Sequence, residues 1–271
     1  MRRGPRLKWH KLRRKRADPP FLRANLAAGL AGGAALEVDL VVTADGDFVC
    51  LHDLELGHET TGAGPVAAAT RAELMRLSML GADGGPTSEP PLFLDEIVAA
   101  ASRHQDVPAG SIQLDIKEPA SRFETALVQR LITILGSSAP AFVASSTDWH
   151  LVEHLRSAAH SLRRGFDPLD LYGERLPADA ADFVSLAETT LRLAAGVGIY
   201  YLEADLLLAG LACGVNIAKI VARDGAEVDA WTVDADRPEL RELLRRLVEA
   251  GCRQITTNDP DALAPLLQEI A

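Results

Sequence analysis

The sequence is poor in cysteine, with three in 271 residues, Cys50, Cys213 and Cys252, and no CxxC pair among them. That spacing excludes a disulfide framework and a thiolate zinc site, and all three are expected to behave as small buried hydrophobes. Aromatic residues make up only 5% of the chain, and none beyond Trp9 interleaves with the basic residues, so no nucleic-acid partner is expected. No apolar run approaches the roughly 18 residues of a membrane span. The basic N-terminus also lacks an apolar segment behind it, which argues against a secretory signal. A soluble, cytoplasmic protein is the expectation. Internal repeats and long low-complexity stretches are lacking too.

Acidic residues are missing from one place. Residues 1–16 hold nine of the 28 Lys and Arg and no Asp or Glu, while the remainder sets 19 basic against 38 acidic groups. A basic leader on an acidic body leaves peripheral contact with an anionic membrane open, against the alternative of a first strand followed by a solvated tail. Oligomeric state is not legible.

About half of the chain is hydrophobic, enough for one sizeable core, and a single domain over residues 1–271 is the simplest organisation. Short β-rich runs alternate with longer amphipathic stretches, the pattern of parallel βα units. Eight runs stand out: Arg6–His10, Ala35–Val41, Ile112–Ile116, Ala141–Ser145, Leu162–Phe166, Asp182–Leu186, Glu227–Val233 and Gln254–Thr257. Eight such strands predict an α/β fold of the TIM (β/α)8 barrel type, with the site at their C-terminal ends. Ile199–Leu202 reads equally as a further strand or a buried helix start.

Residues 44–91 do not fit a simple crossover and are expected to form an insertion between the second and third barrel strands. Asp45-Gly46 signals a hairpin into Phe48–His52. Residues 59–65 are loop-like. Thr70–Leu77 reads as a short helix with Thr70 at its N-cap and Glu73 as capping-box partner. Leu92–Ala101 then returns as a helix of the barrel wall.

Chemistry concentrates in three places. In Glu37-Val-Asp39 two carboxylates alternate with apolar residues, so a strand's period of two sets both on one face, the barrel interior. Two like charges there require a positive partner, either one divalent cation, Mg²⁺ or Ca²⁺, or a Lys/Arg salt-bridge network. Asp115 and Lys117 repeat the spacing on another strand. They read as a third metal carboxylate beside an anion-facing ammonium, or as a plain ion pair. His10 and His52 each end a strand-like run, where an imidazole can transfer protons near neutral pH. The other five histidines, His58, His104, His150, His154 and His160, are expected at the surface.

These residues resemble the glycerophosphodiester phosphodiesterase family of the phospholipase C-like superfamily. The likeness rests on Gly33–Leu40, Thr43–Gly46, Leu51-His-Asp53 and Glu59-Thr-Thr-Gly62 in order, then on Pro91–Glu96, Leu114-Asp-Ile-Lys117, Trp231–Asp234 and Thr257–Pro260. It implies that Glu37, Asp39 and Asp115 bind the metal, that His10 and His52 are the acid and base, that Lys117 contacts phosphate, and that Trp231 walls the substrate. It further implies hydrolysis of a small-molecule glycerophosphodiester to sn-glycerol 3-phosphate and an alcohol. A lysophospholipase D-type reaction, or a barrel that binds phosphate without turnover, are the alternatives. The nucleophile is either water or the substrate's own hydroxyl.

Two departures stand out. The family opens with His-Arg-Gly, but here His10-Lys11-Leu12 precedes Arg13 and Arg14, so either Lys11 serves as a point charge or a nearby arginine replaces the family's bidentate grip. The glutamate expected near Phe21–Asn25 is absent as well. At position 115, Asp stands where the family has Glu, a shorter arm toward the metal.

Overall fold

The structure, a computed structural model, describes residues 5–104, 107–158, 160, 162–173 and 175–270. Eight parallel strands close on themselves: β1 (Arg6–Trp9), β2 (Ala35–Val42), β4 (Ile112–Ile116), β5 (Phe142–Ser145), β6 (Arg163–Phe166), β7 (Ile199–Glu203), β8 (Glu227–Trp231) and β9 (Gln254–Thr257). Closure comes from β1, which pairs with β9 on one side and β2 on the other. This is the TIM barrel the sequence predicts. The short β3 (Phe48–Cys50) lies antiparallel on β2, with Leu40 opposite Cys50 and Val42 opposite Phe48.

Side-chain alternation decides what faces where. On β2, Leu36, Val38 and Leu40 join the apolar core, leaving Glu37 and Asp39 for the barrel interior. The outer helices follow the complementary rule. The helix Leu240–Ala250 buries Leu243, Leu244, Leu247 and Ala250, a 3.6-residue stripe against the strands. Among the described residues no single helix is long and apolar enough to cross a membrane.

The interior below the site is polar, where branched apolar side chains usually fill such a barrel. At the strands' N-terminal ends Arg6 bridges Glu227 at 2.9 Å, and Arg163 stands 3.7 Å from the same carboxylate. One level up, buried Lys8 lies 3.3 Å from buried Asp229 and 4.1 Å from the Tyr201 ring centroid. Asp229 also accepts from Thr256 Oγ1 at 2.6 Å and from Gln254 Nε2.

Several expectations need correction. Asp182–Leu186 is helical, inside Ala180–Leu193, with the Asp179 carboxylate accepting the Asp182 N–H. Phe183, Ala187 and Thr190 are its buried face, so a helical period was misread as a strand, and Ile199–Glu203 is the strand instead. Cys213 is exposed, because it caps the helix Ala204–Ala212 at the surface. His104 and His154 are half-buried, and His154 Nε2 is enclosed without a hydrogen bond among the described residues. In residues 44–91, the helix Arg71–Leu74 carries the expected capping box, with Thr70 and Glu73 exchanging side-chain and backbone bonds. The wall helix begins at Leu94.

Candidate active site

His10 follows β1 directly, in a single 3₁₀ turn with Leu12 packed in the core. Lys11 and Leu12 both take left-handed backbone angles (φ 52° and 56°), a strained pair for side-chain-bearing residues. The turn delivers the Lys11 backbone N–H to Glu37 Oε2 at 2.5 Å. Register does the rest: Glu37 stands beside Gln113, and Asp39 beside Asp115.

One ligand atom each from Glu37, Asp39 and Asp115 falls within 4.8 Å of the others. Lys117 Nζ lies 2.9 Å from Asp39 Oδ1 and 2.5 Å from Asp115 Oδ2, and Lys11 Nζ is 3.5 Å from Asp39 Oδ2. Burial works against the Lys117 charge, but the carboxylates of Asp115, Asp39 and Glu37 raise its pKa. Burial and then the neighbouring Asp39 push the Glu37 carboxyl well up. Asp39 is held low by Lys117, Lys11 and the two histidines, against the burial that opposes its charge.

Among the described residues neither Asp39 oxygen receives a hydrogen bond despite the ammonium group at 2.9 Å, because proximity alone does not align donor and acceptor. Two orphaned Asp39 oxygens flanked by buried Glu37 and half-buried Asp115 make a hard-oxygen donor set of the kind a divalent cation accepts, so these residues fit one.

His10 Nδ1 lies 2.9 Å from Asn258 Oδ1, while Asn258 Nδ2 donates to Asp234 at 3.0 Å. Asp234 therefore fixes the amide. Its oxygen faces His10 and demands a proton on Nδ1, which leaves Nε2 with the lone pair. Burial pushes the His10 pKa down to about 4, outweighing the opposing pull of Asp39 and Asn258.

His52 is more open, with 44% of its side chain accessible. Its backbone N–H donates to Glu59 Oε2 at 2.6 Å, and its Nδ1 meets Asp53 at 2.9 Å. The neighbouring His58 reaches the other Asp53 oxygen, also at 2.9 Å. Both strand-end histidines line one cavity of about 300 Å³, together with Lys11, Lys117, Trp231 and Tyr201.

The profile of the Glycerophosphoryl diester phosphodiesterase family matches residues 22–262. The chain belongs to that family. Solved structures agree in fold. A phosphodiesterase from Oleispira antarctica in complex with the product sn-glycerol-3-phosphate is 19% identical, with TM-score 0.72 and coverage of 98% of this chain and 97% of that one. A glycerophosphodiester phosphodiesterase from Parabacteroides distasonis is 14% identical with TM-score 0.70, covering 99% of both chains. One from Thermotoga maritima is 17% identical with TM-score 0.66, covering 98% of this chain and all of that one. No curated protein matches the sequence.

In this glycerophosphodiester phosphodiesterase family enzyme, every site residue expected from the sequence gathers at one mouth, with Asp39 just beneath the cavity surface. Lys11 lines the cavity, whereas Arg13 does not and instead donates to Asn258 Oδ1 (3.2 Å), the oxygen that also faces His10, and to the Asp18 carbonyl (3.0 Å). Arg14 pairs with Asp261, and Arg16 with Asp236, so these leader cations are tied to the barrel rim. Asn258 and Asp234 were missed as site residues although both sit in motifs quoted for the resemblance. Glu59 was missed likewise. Asp167 and Tyr201 also line the cavity, and nothing in their local sequence marks them.

Proposed function

We propose that this enzyme hydrolyses glycerophosphodiesters to sn-glycerol 3-phosphate and an alcohol, with a divalent cation held by Glu37, Asp39 and Asp115. The observation that carries the reading is the convergence of His10, His52, Lys11 and Lys117 on the one cavity above that carboxylate cluster. When bound, the cation supplies a Lewis acid for a phosphate oxygen. Lys117 and Lys11 lie where their ammonium groups can offset charge on the remaining oxygens as it develops at phosphorus.

His10 serves as the base on geometry, since Asn258 accepts the hydrogen bond of its Nδ1 proton and leaves Nε2 free to accept the proton of the attacking water. His52 then donates to the leaving alcohol, its ring oriented by Asp53. The small, charged cavity suits a glycerophosphate better than an acyl-bearing lysophospholipid.

The test is release of glycerol 3-phosphate from glycerophosphocholine and glycerophosphoethanolamine with Mg²⁺, Ca²⁺ or EDTA. Turnover that EDTA and His52→Ala each abolish is the expected result. Silence with both cations would overturn it.

A further inference from the structure

Asp115 lies at the end of a hydrogen-bonded chain that crosses the barrel interior. Ser145 Oγ donates to Asp115 Oδ1 at 2.8 Å, and Gln113 Nε2 donates to Ser145 Oγ at 2.9 Å. The Lys8 ammonium donates to Gln113 Oε1 and is itself anchored 3.3 Å from Asp229. Register sets this up, because Asp115 stands beside Ser145 across the β4–β5 pair. Lys8, Gln113 and Ser145 are all buried.

The chain has only one direction. An ammonium group has no acceptor, so Lys8 claims the Gln113 carbonyl and fixes the amide with its NH₂ toward Ser145. That NH₂ occupies a lone pair of the Ser145 hydroxyl. The hydroxyl hydrogen must then go to an acceptor, and Asp115 Oδ1 at 2.8 Å is better placed than the Leu114 carbonyl at 3.5 Å. Asp115 Oδ2 is left facing Lys117.

We propose that Lys8, Gln113 and Ser145 are positioning residues, a one-way hydrogen-bond chain that locks the short Asp115 carboxylate in place beside Glu37 and Asp39, where the cation would sit. The inference rests on the metal reading given above. The chain fixes the angle of a short side chain from below.

The experiment is calorimetric titration of Mg²⁺ and Ca²⁺ into EDTA-treated protein, without substrate. Ser145→Ala is expected to weaken cation binding about tenfold, and Ser145→Thr, which keeps the hydroxyl, to restore most of it. Gln113→Glu is the sharper variant. It adds a negative charge, which on its own would tighten cation binding, but as a carboxylate it only accepts and so competes with Asp115 for the one Ser145 hydrogen. Weaker binding in this near-isosteric variant, with the melting temperature held, supports the chain. Tighter binding in Gln113→Glu, or Ser145→Ala within twofold of the unsubstituted protein, would overturn it. If the unsubstituted protein binds neither cation, the metal reading fails and takes the inference with it.

Discussion

The upper and lower levels of the barrel interior use the same kinds of side chain to opposite ends. At the lower levels, Arg6, Arg163 and Glu227, then Lys8, Asp229, Gln254 and Thr256, satisfy one another through short contacts. At the mouth the charges do not close. Among the described residues both Asp39 oxygens lack a hydrogen bond, while burial pushes the Glu37 carboxyl up and the His10 imidazole down. Buried charge that is matched maintains structure, whereas buried charge left with a deficit waits for a ligand.

The contrast breaks most easily at the mouth. His10→Ala or His52→Ala is expected to lower kcat/KM by about 10²–10⁴-fold while unfolding in urea stays near that of the unsubstituted protein. Glu37→Gln belongs to the same class: metal-dependent turnover should vanish, and the melting temperature without metal should hold or rise, since a strained charge is removed. A large loss of stability in Glu37→Gln would show that the cluster is structural.

At the lower level the signs reverse. Lys8→Met leaves Asp229 buried without its cation, and a loss of about 3–5 kcal/mol in urea unfolding is expected. Stability unchanged in that variant would mean that Asp229 is carried by Thr256 and Gln254 alone.

The His10 depression gives a pH signature. An imidazole at about 4 in the fold and 6.5 when unfolded takes up its proton first in the unfolded chain as pH falls. Its contribution is therefore intact above pH 6.5 and is lost progressively down to about pH 4, on the order of 3 kcal/mol. Comparing urea midpoints of the unsubstituted protein and His10→Phe across that window measures it, and a pH-independent difference would refute the burial argument.

Two smaller effects sharpen the picture. Asn258→Ala removes the acceptor that selects the His10 tautomer, and kcat is expected to fall about three- to tenfold. Trp231→Ala should raise KM a few-fold with kcat nearly unchanged, since an apolar wall holds ground and transition states alike. A kcat loss in Trp231→Ala larger than in Asn258→Ala would reverse their assigned roles.

Much of the mouth is legible in the sequence because it obeys local rules. Glu37-x-Asp39 and Asp115-x-Lys117 declare a shared strand face through period two alone, and Thr70 with Glu73 declares a helix start. The misread stretch 182–186 shows the limit, since over five residues a strand run and one face of a helix look the same. Asn258, Glu59 and Gln113 were not legible as working residues. Each acts on a partner far away in sequence or through the backbone, and a lone amide or carboxylate in a loop or strand carries no periodic signature.

The sequence by itself determined a parallel barrel, seven of its eight strands, and which carboxylates and histidines stand at their ends, since alternation and turn chemistry act between neighbours along the chain. Only the tertiary structure decided that Lys11 rather than Arg13 faces the cavity, that Asn258 selects the His10 tautomer, and that Lys8 points inward to Asp229. Those outcomes depend on barrel closure. It brings β1 against β9 and sets side chains some 250 positions apart within hydrogen-bond reach, as His10 and Asn258 show across 248 positions.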